Sequence, residues 1–274
     1  MYKLIACDMD ETLLNTKDRK VSAKNVEAIQ RARQKGVKFV PATGRGYRSI
    51  QGTLEELGLI NLPNEYVISF NGGAIVENQN NRLLHFDGIS FELAEEFFKR
   101  GLNYDVCIHV YTLDTVYVYN FTDNEKAYLN GRMEVEEFFD KNINFLKGQE
   151  IVKALYVNTN QDYLHKIESE LKDITADVDV SYSSNRYIEF NHKGVNKGQG
   201  LLNLAKRLGI KQEETIAIGD NFNDISMIEA ARLGVGVANC VEGIKPQCDY
   251  ITSATCDEDA VAEVIDKFIL NADS

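Results

Sequence analysis

The chain has 274 residues, 44% hydrophobic and 26% charged, with a formal charge of −12, a length and composition that suit one large or two modest globular domains. The negative excess repels phosphodiester backbones and anionic membrane surfaces, so neither nucleic acid nor a membrane is expected as a partner. No apolar run reaches bilayer-spanning length and Met1 leads into a strand without a signal-peptide pattern, so a cytoplasmic location is expected. Residues 2–7 form a short apolar run, read as a buried strand of a parallel sheet. Asp8 and Asp10 follow at its carboxyl end. Open α/β sheets bind ligands there, and residues two apart on an extended chain point the same way, so the pair is expected to converge on one pocket. That suits a magnesium site with an acidic nucleophile; it equally suits loop chemistry or a helix cap.

Ser22 can cap a helix whose apolar stripe is Val26, Ile29 and Ala32, with Gly36 at a left-handed terminus. A strand at 37–40 runs into Pro41-Ala42-Thr43-Gly44-Arg45, after which Ile50, Leu54 and Leu57 define a helix ending at Gly58. A third strand, 66–70, opens onto Asn71-Gly72-Gly73, a turn signal. This alternation predicts right-handed βαβ units and one parallel sheet. From about Leu83 the character changes: 116–121 and 153–157 alternate apolar with polar residues, and helical stretches lie at 91–102 and 163–171. Half-exposed antiparallel strands give that pattern, so an α+β insert is expected. Near Glu189 the first rhythm returns, with a helix through Leu201, Leu204 and Leu208, strands at 215–218 and 234–237, a helix from Asp224 and a last helix at 260–270. The expected organisation is a Rossmann-like core of residues 1–82 and 189–274, interrupted by an α+β domain of residues 83–188. The five cysteines are odd in number and form no Cys-x-x-Cys, so neither a disulfide framework nor a zinc site is indicated; Cys7 reads as a buried strand thiol.

Thr43 stands to the second strand as Asp8 does to the first, so its hydroxyl and the nearby amides can hold a phosphate oxygen or cap the next helix. Lys197 opens a helix, where the dipole does not favour a cation, so either a phosphoryl group or open solvent accounts for it. In residues 216–224 a strand is followed by Gly219-Asp220-Asn221-Phe222-Asn223-Asp224. Turn preference and capping explain one or two of these residues, not all. Asp220 adds a third acidic oxygen donor to Asp8 and Asp10, and few such protein ligands satisfy Mg²⁺.

Asp8-Met9-Asp10-Glu-Thr-Leu-Leu, Ala-Thr43-Gly-Arg, Lys197-Gly and Gly-Asp220-Asn-Phe-Asn223-Asp224, in this order, resemble the four motifs of the haloacid dehalogenase-like hydrolase superfamily. The insert between the second and third resembles the cap of its Cof-type sugar-phosphatase branch. The resemblance covers nearly the whole chain, including Ser69-Phe-Asn71-Gly-Gly and Gly236-Val-Ala-Asn239. It departs at Glu11, where the family commonly has Gly. It implies that Asp8 attacks phosphorus to form an aspartyl-phosphate while Asp10 protonates the leaving oxygen and then activates water. It further implies Mg²⁺ on the Asp8 and Asp220 carboxylates and the Asp10 main-chain carbonyl, with Asp224 behind the metal. Thr43, Lys197, Asn223 and the Met9 and Gly44 amides complete the phosphate cradle.

The substrate implied is a small phosphomonoester, a sugar phosphate or a similar metabolite such as pyridoxal phosphate, taken by a monomer or small homo-oligomer. Arg45, Arg48, Asn71 and His192 lie near the motifs, as contacts for the leaving group or as structural residues. A phospho-accepting signalling domain is the first alternative, but it would be much shorter and would lack an acid two residues after the nucleophile. A dehalogenase would not be expected to keep that second acid. A silent phosphometabolite-binding protein would have lost a motif residue, and none is missing.

Overall fold

The computed structural model describes residues 1–271. The chain divides into two compact units, Met1–Phe86 with the chain from Asn196 onward, and Asp87–Val195 between them. In the first unit β1 (Leu4–Cys7), α1 (Ala23–Gln34), β2 (Lys38–Pro41), α2 (Gln51–Glu56), β3 (Tyr66–Ser69), β4 (Ala74–Glu77) and β5 (Arg82–Phe86) precede the insertion. The insertion holds α3 (Phe91–Gly101), β6 (Cys107–Thr112), β7 (Val116–Tyr119), α4 (Asp123–Leu129), β8 (Glu136–Phe138), β9 (Ile151–Val157), α5 (Gln161–Glu170), β10 (Val178–Ser183) and β11 (Tyr187–His192). The first unit resumes with α6 (Lys197–Arg207), β12 (Thr215–Gly219), α7 (Ile225–Ala230), β13 (Leu233–Gly236), β14 (Tyr250–Ile251) and α8 (Ala260–Ile265), the last continued by a π-helical turn, Asp266–Leu270.

The core sheet runs β14-β13-β12-β1-β2, every pair parallel. β1 is an interior strand, between β12 and β2, and wholly buried, as its uninterrupted apolar sequence requires. α1 starts where predicted: the Ser22 side chain accepts the Asn25 N–H, and Gly36 has φ 83° beyond its end. The third strand differs from expectation. β3 is joined to the residue following β2 by an isolated parallel bridge, Ala42 to Ile68, and its ladder is an antiparallel trio with β4 and β5. A buried apolar run of four residues carries no signal that distinguishes parallel from antiparallel pairing.

The inserted unit is a cap with its own six-stranded sheet, order β10-β11-β9-β6-β7-β8, antiparallel except between β7 and β8. One face buries Ile108, Val110, Ala154, Tyr156, Ile188 and Phe190 together with residues of α3 and α5. The alternation in β9 has a different cause from the expected half-exposure, because the whole strand is buried; Lys153 is paired with Glu189 across to β11. The unit boundaries also move. β5 pairs with β4 and so stays with the core, and β11 completes the cap sheet, which puts the crossings after Phe86 and Val195 instead of at 82/83 and 188/189. Among the described residues, no helix is long and apolar enough to cross a membrane.

Candidate active site

Register brings the motif residues together. β1 is flanked by β12 and β2, with Cys7 opposite both Ile218 and Pro41, so Asp8, Asp220 and Thr43 leave three adjacent strands at one sheet edge. The Asp8 N–H extends the ladder to the Ile218 carbonyl at 2.9 Å. Lys197 is the first residue of α6, whose Asn196 cap accepts the Gln199 N–H. Its ammonium is fully buried and donates to Asp8 Oδ1 at 2.5 Å and Asp224 Oδ1 at 2.6 Å. Asp224 Oδ2 accepts the Asp220 N–H at 2.9 Å and the Asn221 N–H at 3.1 Å. Gly219 admits this approach, since a Cβ there would stand 2.5 Å from that of Asp224.

Asp8, Asp220 and Asp224 offer carboxylate oxygens within 4.8 Å of one another. Burial pushes the Asp8 carboxyl well up; Lys197 opposes that shift, while Asp224 and Asp220 add to it. Burial likewise pushes Asp220 up to about 6, against the hydrogen bond from Thr12 and with repulsion from Asp224. Burial works against the Lys197 charge, but Asp8 and Asp224 hold its pKa above the ordinary value. One cation thus serves three carboxylates, leaving negative charge uncompensated.

The Asp10 carboxylate lies outside the group formed by Asp8, Asp220 and Asp224; it is half-exposed and receives Arg45 Nη2. Glu11, the next residue, turns the chain at φ 59°. Thr43 is buried, its hydroxyl accepting the Arg45 N–H at 3.0 Å. Its own N–H is spent on Ile68, whereas among the described residues the Met9 and Gly44 N–H groups find no protein acceptor. Asn223 Nδ2 reaches Asn71 Oδ1 at 3.3 Å. Arg48 stacks on Tyr47, and His192 belongs to the cap strand β11, opposite Val178. Thr12, to which the sequence reading gave no role, donates to Asp220 Oδ1 at 2.8 Å; its partner lies 208 positions away and no local signal announces it. Cys7 is buried with its thiol pushed up, first by desolvation, and takes no part.

The donor set fits a hard divalent cation: all oxygen, crowded, and short of positive charge. Asp8 and Asp220 are the carboxylates suited to hold it. Asp224 has both oxygens engaged by Lys197 and two amides and is suited to hold the site together instead.

The family model for haloacid dehalogenase-like hydrolases matches residues 5–265. The phosphatase YwpJ of Bacillus subtilis is 31% identical over 96% of this chain and 98% of its own length. The 5-amino-6-(5-phospho-D-ribitylamino)uracil phosphatase YcsE of the same organism is 30% identical over 98% of this chain and 96% of its own. The crystal structure of a haloacid dehalogenase-like hydrolase from Bacteroides thetaiotaomicron superposes with a TM-score of 0.86 at 30% identity, covering 98% of this chain and 100% of that one. With the motif residues gathered at one sheet edge and the match running almost end to end, the chain belongs to the haloacid dehalogenase-like hydrolase family.

Proposed function

We propose that this hydrolase is a magnesium-dependent phosphatase that cleaves a small phosphomonoester, a sugar phosphate or similar metabolite, through an aspartyl-phosphate on Asp8. The observation that carries the reading is the fully buried Lys197 joined to Asp8 and Asp224 beside Asp220. An ammonium kept charged inside the protein compensates a nucleophilic carboxylate and, in turn, the oxygens of an incoming phosphoryl group. The relatives named as phosphatases support the class of reaction.

The Asp8 oxygen that Lys197 does not hold forms the bond to phosphorus as the ester P–O bond breaks. Asp10 gives its proton to the departing oxygen. It then takes a proton from water, which attacks phosphorus, releases orthophosphate and restores Asp8. Arg45 holds the Asp10 carboxylate, while Thr43, Lys197, Asn223 and the Met9 and Gly44 amides receive the phosphoryl oxygens. Mg²⁺ would be held by the Asp8 and Asp220 carboxylates and the Asp10 main-chain carbonyl, with Asp224 behind them, and supplies positive charge against the phosphate dianion.

Rapid-quench kinetics with an aryl phosphate test this. Asp8→Asn should abolish both turnover and the covalent phosphoenzyme. Asp10→Asn should still form the phosphoenzyme, because an aryl leaving group needs little protonation, and hydrolyse it about 10²- to 10⁴-fold more slowly. The reverse pattern would overturn the assigned roles, and full turnover after exhaustive chelation would remove magnesium from the reading.

A further inference from the structure

Residues 69–73 form a turn that the chemistry above does not use. Phe70 and Asn71 have φ of 53° and 55°, and Gly72 follows at 100°. Left-handed backbone is unfavourable for a residue with a Cβ, and two in succession persist only where the surroundings hold them. Here the holding bonds run to the site. The Phe70 N–H donates to the Arg45 carbonyl at 3.1 Å and the Asn71 N–H to the Thr43 carbonyl at 2.9 Å; the Ser69 hydroxyl adds a bond to the Arg45 carbonyl at 2.8 Å. The Phe70 ring lies against Gly46, where a Cβ would come within 2.9 Å of it, and Gly72 sits so close to the Asn196 carbonyl that a Cβ would stand 2.2 Å from its oxygen. The turn therefore joins the loop after β2 to the residue that caps α6.

Asn71 extends this brace to the cradle proposed for phosphate. Its carboxamide packs against Gly44, where a Cβ would be 3.3 Å from both Nδ2 and Oδ1. Its Oδ1 accepts from Asn223 Nδ2 at 3.3 Å. An amide nitrogen carries two hydrogens, so tethering one fixes the plane of the Asn223 carboxamide and aims the other. We infer that Asn71 is a positioning residue of the phosphate site, orienting Asn223 while packing on Gly44, and that its left-handed backbone is retained because it brings one side chain to both. The inference rests on the phosphatase reading and deepens it.

The test is inhibition of aryl-phosphate turnover by inorganic phosphate, using the full-length protein. Asn71→Gly tolerates the backbone angle and removes the carboxamide, so the inhibition constant should rise about tenfold, the scale of one hydrogen bond to a charged group. Asn223→Ala should show a similar loss, and the double variant should be no weaker than Asn223→Ala alone, because Asn71 acts through Asn223. A purely structural turn would give losses that multiply. If Asn71→Gly fails to fold, Asn71→Ser, whose side chain is too short to reach the Asn223 amide, takes its place in the same double-variant comparison. Unchanged inhibition in the folded variants, or multiplicative losses in the double variant, would overturn the role of Asn71. If the unaltered protein neither hydrolyses the aryl phosphate nor binds inorganic phosphate, the phosphatase reading itself falls, and this inference with it.

Discussion

At the scale of single residues the site is an arrangement of charge around Lys197, and the residue least suited to its place stands just beside it. Glu11 has φ 59°, where an L-residue pays about 1–2 kcal/mol and glycine nothing. Its carbonyl is anchored by Asn239 Nδ2 at 2.8 Å, so the turn is held despite the strain. Glu11→Gly should stabilise the protein by about 0.5–1 kcal/mol after the extra chain entropy of glycine is subtracted. The check is the urea midpoint at constant m-value; a midpoint that stays or falls would show that the turn costs glutamate nothing. The departure at Glu11 was visible in the sequence, while its meaning needed the backbone angle. The same division holds for the site. Asp8, Thr43 and Asp220 were legible because each follows a strand, and Lys197 because it opens a helix against the dipole. The Arg45–Asp10 pair and the Thr12 bond to Asp220 were not, because long-range side-chain partners leave no local periodicity.

At the scale of elements the site depends on how closely α6 can approach α7. A Cβ on Gly198 would meet the Ser226 carbonyl oxygen at 2.1 Å, and Gly198 is the neighbour of the buried Lys197. Gly198→Ala must push the start of α6 outward, costing about 2 kcal/mol or more and carrying the ammonium away from Asp8. Gly52 is the contrasting case, inside α2 with nothing within 4 Å of a built Cβ. Gly52→Ala should therefore stabilise by about 0.5–1 kcal/mol and leave kcat unchanged. Urea unfolding and steady-state kinetics on the pair check both signs; equal effects would mean that helix approach does not control the site. Element type was legible in chain order, since apolar runs and helical stripes follow burial. What failed was pairing: β3 looks like another parallel strand, and its antiparallel partners β4 and β5 are fixed by the turn at 70–73 and by tertiary packing.

At the scale of the whole molecule the insertion can be tested by removing it. Each unit has its own apolar cluster: Leu4, Ala6, Val40, Ile68, Leu201, Leu204 and Ala217 belong to one, and Phe97, Phe98, Val110, Tyr156, Ile188 and Phe190 to the other. The cut belongs after Phe86, because β5 pairs with β4 and the Leu84 carbonyl accepts Arg207 of α6 at 2.8 Å; a cut at 82 would strip an edge strand from the core. The ends left behind are near one another. Phe86 lies opposite Ala74, two residues beyond the Gly72 that packs on Asn196, so a glycine-serine linker of roughly four residues is long enough. A chain lacking residues 87–195 should fold and keep Asp8, Lys197, Asp220 and Asp224 in place, since all four are held by bonds within the first unit. It should hydrolyse a small aryl phosphate, whose leaving group needs few contacts, and discriminate by kcat/KM among sugar phosphates and other phosphorylated metabolites less sharply than the full chain. If the shortened protein folds and ranks those substrates as the full chain does, the core reads the leaving group and the cap has another purpose.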